Sequence, residues 1–396
     1  MSGIDLFRTR IGLVQAFLRA NKYDGILLNR IDNFAMATGG KRNWVWTAGE
    51  HGANSLFVTK NGEAYYVGNT IEEARVMDEE LAGFNCGIKR FLWFEDSAAS
   101  VVKKEFTGKL VSDDGSLGEN VNGKLTMLRA LLTPAELEKY RVLGKLASEA
   151  MTATLATIRA GSTEADIAAT LVAEGFKRRC QVPVFLVAAD ERIAKYRHPI
   201  PTQRTLLGDG VQERAVRDYV MVVGCFLYEG IVVSITRFKQ TGEMPLFVPD
   251  AYNRICAVDA IMQESSKPGS TLGDVFAACQ RSYKELGFPE NEWHNHHQGG
   301  ATGYAGRTAK GAPGETFAIL DGTWEKRVKD YADIITHFGM AFAWNPSAVG
   351  VKSEDTFILL PDGTQEIVSL TPSIPSVDLG AVLRRDTKVV KAGIAK

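Results

Sequence analysis

Gly161-Ser162-Thr163-Glu164-Ala165-Asp166-Ile167 returns further down the chain as Gly269-Ser270-Thr271-Leu272-Gly273-Asp274-Val275, and this echo decides how the chain must fold. Each copy follows a segment that reads as a long helix. Each carries a Thr placed to cap a second helix, with Asp three residues on to answer the cap. Both second helices end at a Gly-Phe pair, Gly175-Phe176 and Gly287-Phe288, and strand-rich sequence follows each. The chain is therefore expected to contain two pseudo-equivalent halves, each two helices followed by strands. A domain built from two such halves tends to place its ligand site in the crevice between them.

Working outward, Thr133-Pro134-Ala135-Glu136 opens the helix before the first echo. Thr is the N-cap, Pro occupies the first helical position and Glu completes a capping box. That helix is expected to run to Ala160 and stop at Gly161. It marks a domain start, giving an N-terminal domain over 1–130 and a second domain over 131–396. The first part alternates. Leu6–Asn21 reads as an amphipathic helix and Gly25–Asn29 as a buried strand. Ser55–Thr59 and Glu63–Val67 form a hairpin whose Asn61-Gly62 favours a type I′ turn, and Ile71–Glu80 reads as a helix. Ser112–Asn122 reads as turns. Alternation of this kind argues for an α/β domain.

Composition limits the function. With 46 basic against 47 acidic residues, the chain offers no electrostatic footprint for nucleic acid or an anionic membrane. Its 45% hydrophobic and 23% charged residues are those of a globular protein, and its length calls for two domains. Five scattered cysteines without CxxC spacing argue against a disulfide framework and against a thiolate zinc site. The N-terminus has no signal-peptide core and no run of about 18 apolar residues occurs, so a cytoplasmic protein is expected.

Chemistry concentrates in four segments. Trp293–Arg307 holds three of the six histidines, His294, His296 and His297, among glycines and closed by Arg307. Imidazole changes charge near neutral pH and arginine grips carboxylates with a planar fork. The others are Lys195–Thr202 with His198, Val220–Phe238 with Glu229, Ser234 and Arg237, and Ala343–Thr356 with Asn345 and Glu354.

In order and spacing these blocks resemble the signatures of the pita-bread hydrolases: prolidase, aminopeptidase P, methionine aminopeptidase and creatinase. The resemblance covers roughly residues 133–370, and the N-terminal α/β domain is similar to that of the prolidase and creatinase branch. It implies an α+β fold, with a duplicated αα-plus-β catalytic domain behind a creatinase/prolidase-type N-terminal domain. It also implies a homodimer in which one subunit's N-terminal domain covers the other's site, for which Trp44 and Trp46 are candidate contacts.

In the metallopeptidase members two Asp, one His and two Glu hold two divalent ions. At the matching positions this chain has Val222 or Gly224, Ser234, His296 or His297, Asn345 and Glu354. Most of the carboxylates that hard cations require are gone. His294, His296 and His297 could recruit a single zinc or nickel ion, but their i, i+2, i+3 spacing shows no second cluster. No metal and no cofactor are therefore expected.

Creatinase shares the fold and uses histidine as acid and base, and His198 matches its catalytic histidine. The expectation is a metal-independent hydrolase cleaving a C–N bond of a small carboxylate-bearing substrate, outside the usual metallopeptidase substrates. His198, His296, His297 and Glu354 would be catalytic, while Arg307, Asn345, Glu229, Arg237 and Trp46 would bind substrate. The alternatives are an inactive binding module, a metal-dependent Xaa-Pro dipeptidase, and a lyase using the same acid/base site. The partners expected are a small-molecule substrate and a second copy of the chain.

Overall fold

The computed structural model of the chain describes residues 2–204, 212–331 and 337–396. The fold is α+β. In the N-terminal part, helix α1 (Gly3–Ala20) begins at Ser2, whose hydroxyl accepts from the Asp5 N–H at 3.2 Å while Asp5 answers the Ser2 N–H at 3.1 Å. Strand β1 (Gly25–Arg30) leads into α2 (Ile31–Thr38), then β2 (His51–Thr59) and β3 (Ala64–Asn69). A short helix α3 (Glu73–Arg75), β4 (Gly87–Phe91), α4 (Ala98–Glu105), β5 (Leu110–Ser112) and β6 (Glu119–Asn120) complete the unit. Its six strands lie in the order β4-β3-β2-β1-β5-β6 and mix parallel with antiparallel pairs.

Two local expectations change. The β2–β3 hairpin forms, but only Gly62 of its turn has positive φ, at 86°. A type I′ turn needs positive φ at both central residues. Here Thr59 N–H donates to the Glu63 carbonyl at 2.9 Å around a three-residue loop, the form that ends in a left-handed glycine. Ile71–Glu80 is not one regular helix. After α3 the chain widens into a π-helical turn, Val76–Glu80, ending on a buried Glu80 that accepts from the Arg42 backbone N–H at 3.0 Å and its Nε at 2.7 Å.

The short helix α5 (Thr126–Ala130) leads to α6 (Pro134–Thr157), which starts with the expected capping box at Thr133. It stops three residues before Ala160, and Gly161 turns the chain at φ 90°. Helix α7 (Glu164–Lys177), strand β7 (Gln181–Ala189), helix α8 (Glu191–Lys195) and strands β8 (Tyr219–Tyr228) and β9 (Ile231–Gln240) follow. The second half repeats the order with α9 (Phe247–Ser265), α10 (Leu272–Glu285), β10 (Gly299–Thr302), β11 (Ala309–Lys310) and β12 (Met340–Trp344). The hairpin β13 (Ser347–Ala348) and β14 (Val351–Lys352), then β15 (Asp355–Leu359) and β16 (Gln365–Ile367), close it.

The echoes are structural equivalents. Thr163 accepts from Asp166 N–H and Thr271 from Asp274 N–H, both at 3.1 Å, and each Thr makes an isolated bridge, to Ala215 and to Ala318. The first half forms the sheet β7-β8-β9 and the second the sheet β11-β10-β12-β15-β16. They meet along β9. Ser234 N–H donates to Thr356 Oγ1 at 2.9 Å, Thr236 N–H to the Glu354 carbonyl at 3.1 Å, and Val232 N–H to the Gly303 carbonyl at 3.2 Å. This seam is the junction at which the duplication places a site.

Candidate active site

The histidines come together from distant sequence. His198 follows α8 on a loop held by an ion pair from its neighbour Arg197 to Glu292, at the start of the short 3-10 turn Glu292–Asn295. His296 follows that turn directly. Gln298, fully buried, holds it there by donating from Nε2 to the His296 carbonyl at 2.6 Å and the Trp293 carbonyl at 2.8 Å. As a result His296 Nε2 and His198 Nε2 lie 2.9 Å apart, and the His297 ring stacks at 4.4 Å from the His296 ring. His294 is excluded. It is exposed and packs edge-on against Trp293.

The seam contributes the polar partners. Glu354, buried just before β15, accepts from Thr236 Oγ1 at 2.7 Å and Arg307 Nη2 at 2.6 Å, and Lys352 Nζ lies 3.5 Å away. Asn345 Nδ2 reaches the same carboxylate at 3.3 Å, and Arg307 Nη1 donates to Ser234 Oγ at 3.1 Å. Burial acts to raise the Glu354 carboxyl, but Lys352 and Arg307 outweigh it and hold it near about 2. On the rings burial and the cations Lys352, Arg307 and Lys310 act together, because both oppose a protonated imidazole. The His198 imidazole is lowered, that of His297 is pushed down to about 4, and that of His296 falls well below the usual range. The same causes favour the neutral form of all three rings. His296 Nδ1, His297 Nδ1, Asn345 Oδ1 and Arg307 Nε are buried here without a hydrogen-bond partner among the described residues.

Not every sequence candidate belongs here. Glu229 sits at the β8–β9 turn with φ 44°, and its carboxylate is taken by Lys139 at 2.5 Å, which also donates to the Gly39 carbonyl. Glu229 thereby orients Lys139, whose bond to Gly39 ties α6 to the N-terminal part. Arg237 is buried beneath the sheet and spends its donors on Asp355, Thr371, and the Thr236, Glu354 and Ser369 carbonyls. It is a structural cation. Trp46 stands 72% exposed in the loop between α2 and β2, without a ring contact to the histidines among the described residues. Arg307 is present, but two of its nitrogens are already engaged.

The strand register resolves one alignment. Side chains alternate between faces along a strand, and β8 pairs Cys225 with Ser234 and Val223 with Thr236. The residues sharing Ser234's face are therefore Cys225 and Val223, whereas Val222 and Gly224 pair with Arg237 and Ile235. Cys225 is a half-buried thiol, raised by desolvation, that accepts from Ser234 Oγ at 3.3 Å. Neither it nor Val223 supplies a carboxylate. With Ser234, Asn345 and a Glu354 already clasped by two cations, the carboxylate-bridged two-metal cluster of the pita-bread peptidases does not fit these residues.

Sequence reasoning missed Lys352, 3% exposed yet charged beside the histidines, and the Arg197–Glu292 and Gln298 contacts that position them. The signal in the sequence was a lysine two residues before Glu354, while its burial, rare for a lysine without a partner, shows only in the fold.

The model of metallopeptidase family M24 matches residues 138–360. The fold is similar to that of an Xaa-Pro dipeptidase from Bacillus anthracis (17% identity, TM-score 0.67, covering 98% of this chain and 100% of that one). It is similar as well to dipeptidase PepE from Mycobacterium ulcerans (16%, 0.69, 93% and 96%) and to the prolidase from Pyrococcus furiosus (15%, 0.63, 90% and 99%). No curated protein matches the chain by sequence. These findings support the fold read from the sequence and overturn its metal-independent reading, because the matched family is one of metallopeptidases. The creatinase-like logic gave most weight to the lost carboxylates and considered a single ion only at His294, His296 and His297, without His198. Peptidases are hydrolases, and that reaction class comes with the match. The chain belongs to metallopeptidase family M24.

Proposed function

We propose that this protein hydrolyses the amide bond of a small peptide with a free carboxylate, the dipeptidase alternative. One observation carries the reading. Lys352 and Arg307 share a single buried carboxylate, Glu354, which leaves positive charge in the crevice for an anion beside the histidine cluster. The structural neighbours named for dipeptidase activity support the same substrate class.

Hydrolysis bonds water oxygen to the carbonyl carbon, and the amine leaves with a proton. The neutral rings of His198, His296 and His297 form the end of the crevice that handles water and proton. Lys352 forms the end that takes the substrate carboxylate, since its contact with Glu354 is long, at 3.5 Å, and an ammonium carries three donors. Glu354 holds Arg307 and Lys352 in place.

The test is a panel of dipeptides, Xaa-Pro and ordinary, each as the free acid and as the C-terminal amide, with divalent metal supplied. Free acids should be cleaved with a lower KM than the corresponding amides. Equal, background-level rates for wild type and His198→Ala on every peptide would remove the reading.

A further inference from the structure

We infer that His198, His296 and His297 form a mononuclear transition-metal site, with a ligand set that does not draw on the carboxylate positions of the family. The site stands independently of whether the substrate is a dipeptide.

The geometry comes first. One ring nitrogen from each of the three residues can be chosen so that all lie within 4.8 Å of one another, and this is the one such group of three or more His, Cys, Asp or Glu among the described residues. A tetrahedral zinc ion with bonds of about 2.0–2.1 Å places its nitrogen ligands roughly 3.3 Å apart. The His198–His296 separation of 2.9 Å lies just below that value and the upper limit of 4.8 Å above it. Rotation of rings within their pocket spans the difference.

The chemistry of the donors comes second. Three imidazoles suit zinc, cobalt, nickel or copper and are poor hosts for magnesium or calcium. Three protein ligands leave a position open, the arrangement of catalytic rather than structural zinc. His198 is the exposed member of the three, so the cluster is reachable from solvent.

Support comes third. Gln298 fixes the backbone of His296, and the Arg197–Glu292 pair fastens the His198 loop to the turn that carries His296. These contacts fix the backbone that carries the rings. His296 Nδ1 and His297 Nδ1 are both buried with no partner among the described residues, so the cluster does not satisfy itself.

The opposing charge is accounted for. Lys352, Arg307 and Lys310 are the cations that act on the rings, and Glu354 is the anion that faces them. Glu354 neutralises one cation. The excess calls for an anion in the crevice alongside a bound ion, either hydroxide or the substrate carboxylate that Lys352 is placed to receive.

Cobalt(II) titrated into the metal-stripped full chain reads the site without any activity. We expect one equivalent with the visible absorption of a four- or five-coordinate nitrogen site. Second-layer contacts alone change metal affinity by about 10–100-fold, so removing a ligand should weaken it by roughly 100-fold or more. His198→Ala tests this on an exposed loop where folding is not at stake, and His297→Ala gives a second reading. Glu354→Gln should keep the cobalt. No binding, two equivalents, binding unchanged in His198→Ala, or binding lost in Glu354→Gln but kept in His198→Ala would each overturn the assignment.

Discussion

His198 Nε2 and His296 Nε2 lie 2.9 Å apart although 98 residues separate them in the chain. Without an ion the two neutral rings share one proton, one nitrogen donating and the other accepting. The contact exists because the α8 loop of the first half and the turn before β10 of the second meet at the seam of the duplication. A metal ion held by these nitrogens would take the place of that shared proton.

Lys352 is the first test of substrate binding. Charge-assisted hydrogen bonds contribute about 1.5–3 kcal/mol, so Lys352→Met should raise KM for a free-acid dipeptide roughly tenfold or more. The loss should be absent with the corresponding amide. Steady-state kinetics on the acid and amide pair decides it, and an equal loss on both substrates would assign Lys352 to the fold instead.

Arg10 and Glu136 join α1 to the start of α6 in a fully buried pair, with Nη2 to Oε2 at 2.5 Å. Arg10 also donates to the Leu128 and Leu131 carbonyls, while Glu136 accepts from Tyr304 and from Thr133 N–H. Removing one partner leaves a charge buried and unanswered. Arg10→Met should destabilise the protein by about 3–5 kcal/mol, and Arg10→Met with Glu136→Leu should recover part of the loss. Denaturant unfolding measures both. A cost below about 1 kcal/mol for the single variant contradicts the role given to the pair.

Asp113 supplies a pH dependence far from the histidines. Burial raises its carboxyl to about 6, against the lowering effect of hydrogen bonds from Asn29, Asn33 and Arg30. The folded protein therefore holds this proton more tightly than the unfolded chain. The associated stability is present below about pH 4 and is lost as pH rises through about 6, by roughly 2–3 kcal/mol. Asp113→Asn should flatten that part of the thermal stability profile. Identical slopes for wild type and variant between pH 4 and 6 would refute the assignment.

What the sequence revealed and what it hid follow one physical division. Caps are local, so Thr133, Thr163 and Thr271 announced their helices and the duplication with them. The seam is not local. Glu229 and Arg237 looked like site residues because Lys139 and Asp355, which occupy them, lie far along the chain. Val223 was missed in favour of Val222 or Gly224 because facing depends on the two-residue turn at Glu229-Gly230, and one residue of slip reverses a strand's faces. Spacing alone counted His294 with its neighbours and could not see His198 arriving opposite them.

The most direct measurement is a crystal of the zinc-loaded protein recorded on both sides of the zinc absorption edge. The account calls for one anomalous peak at bonding distance, about 2.0–2.1 Å, from a ring nitrogen of each of His198, His296 and His297. A crevice without a peak, or two peaks bridged by Glu354 and Asn345, would contradict it.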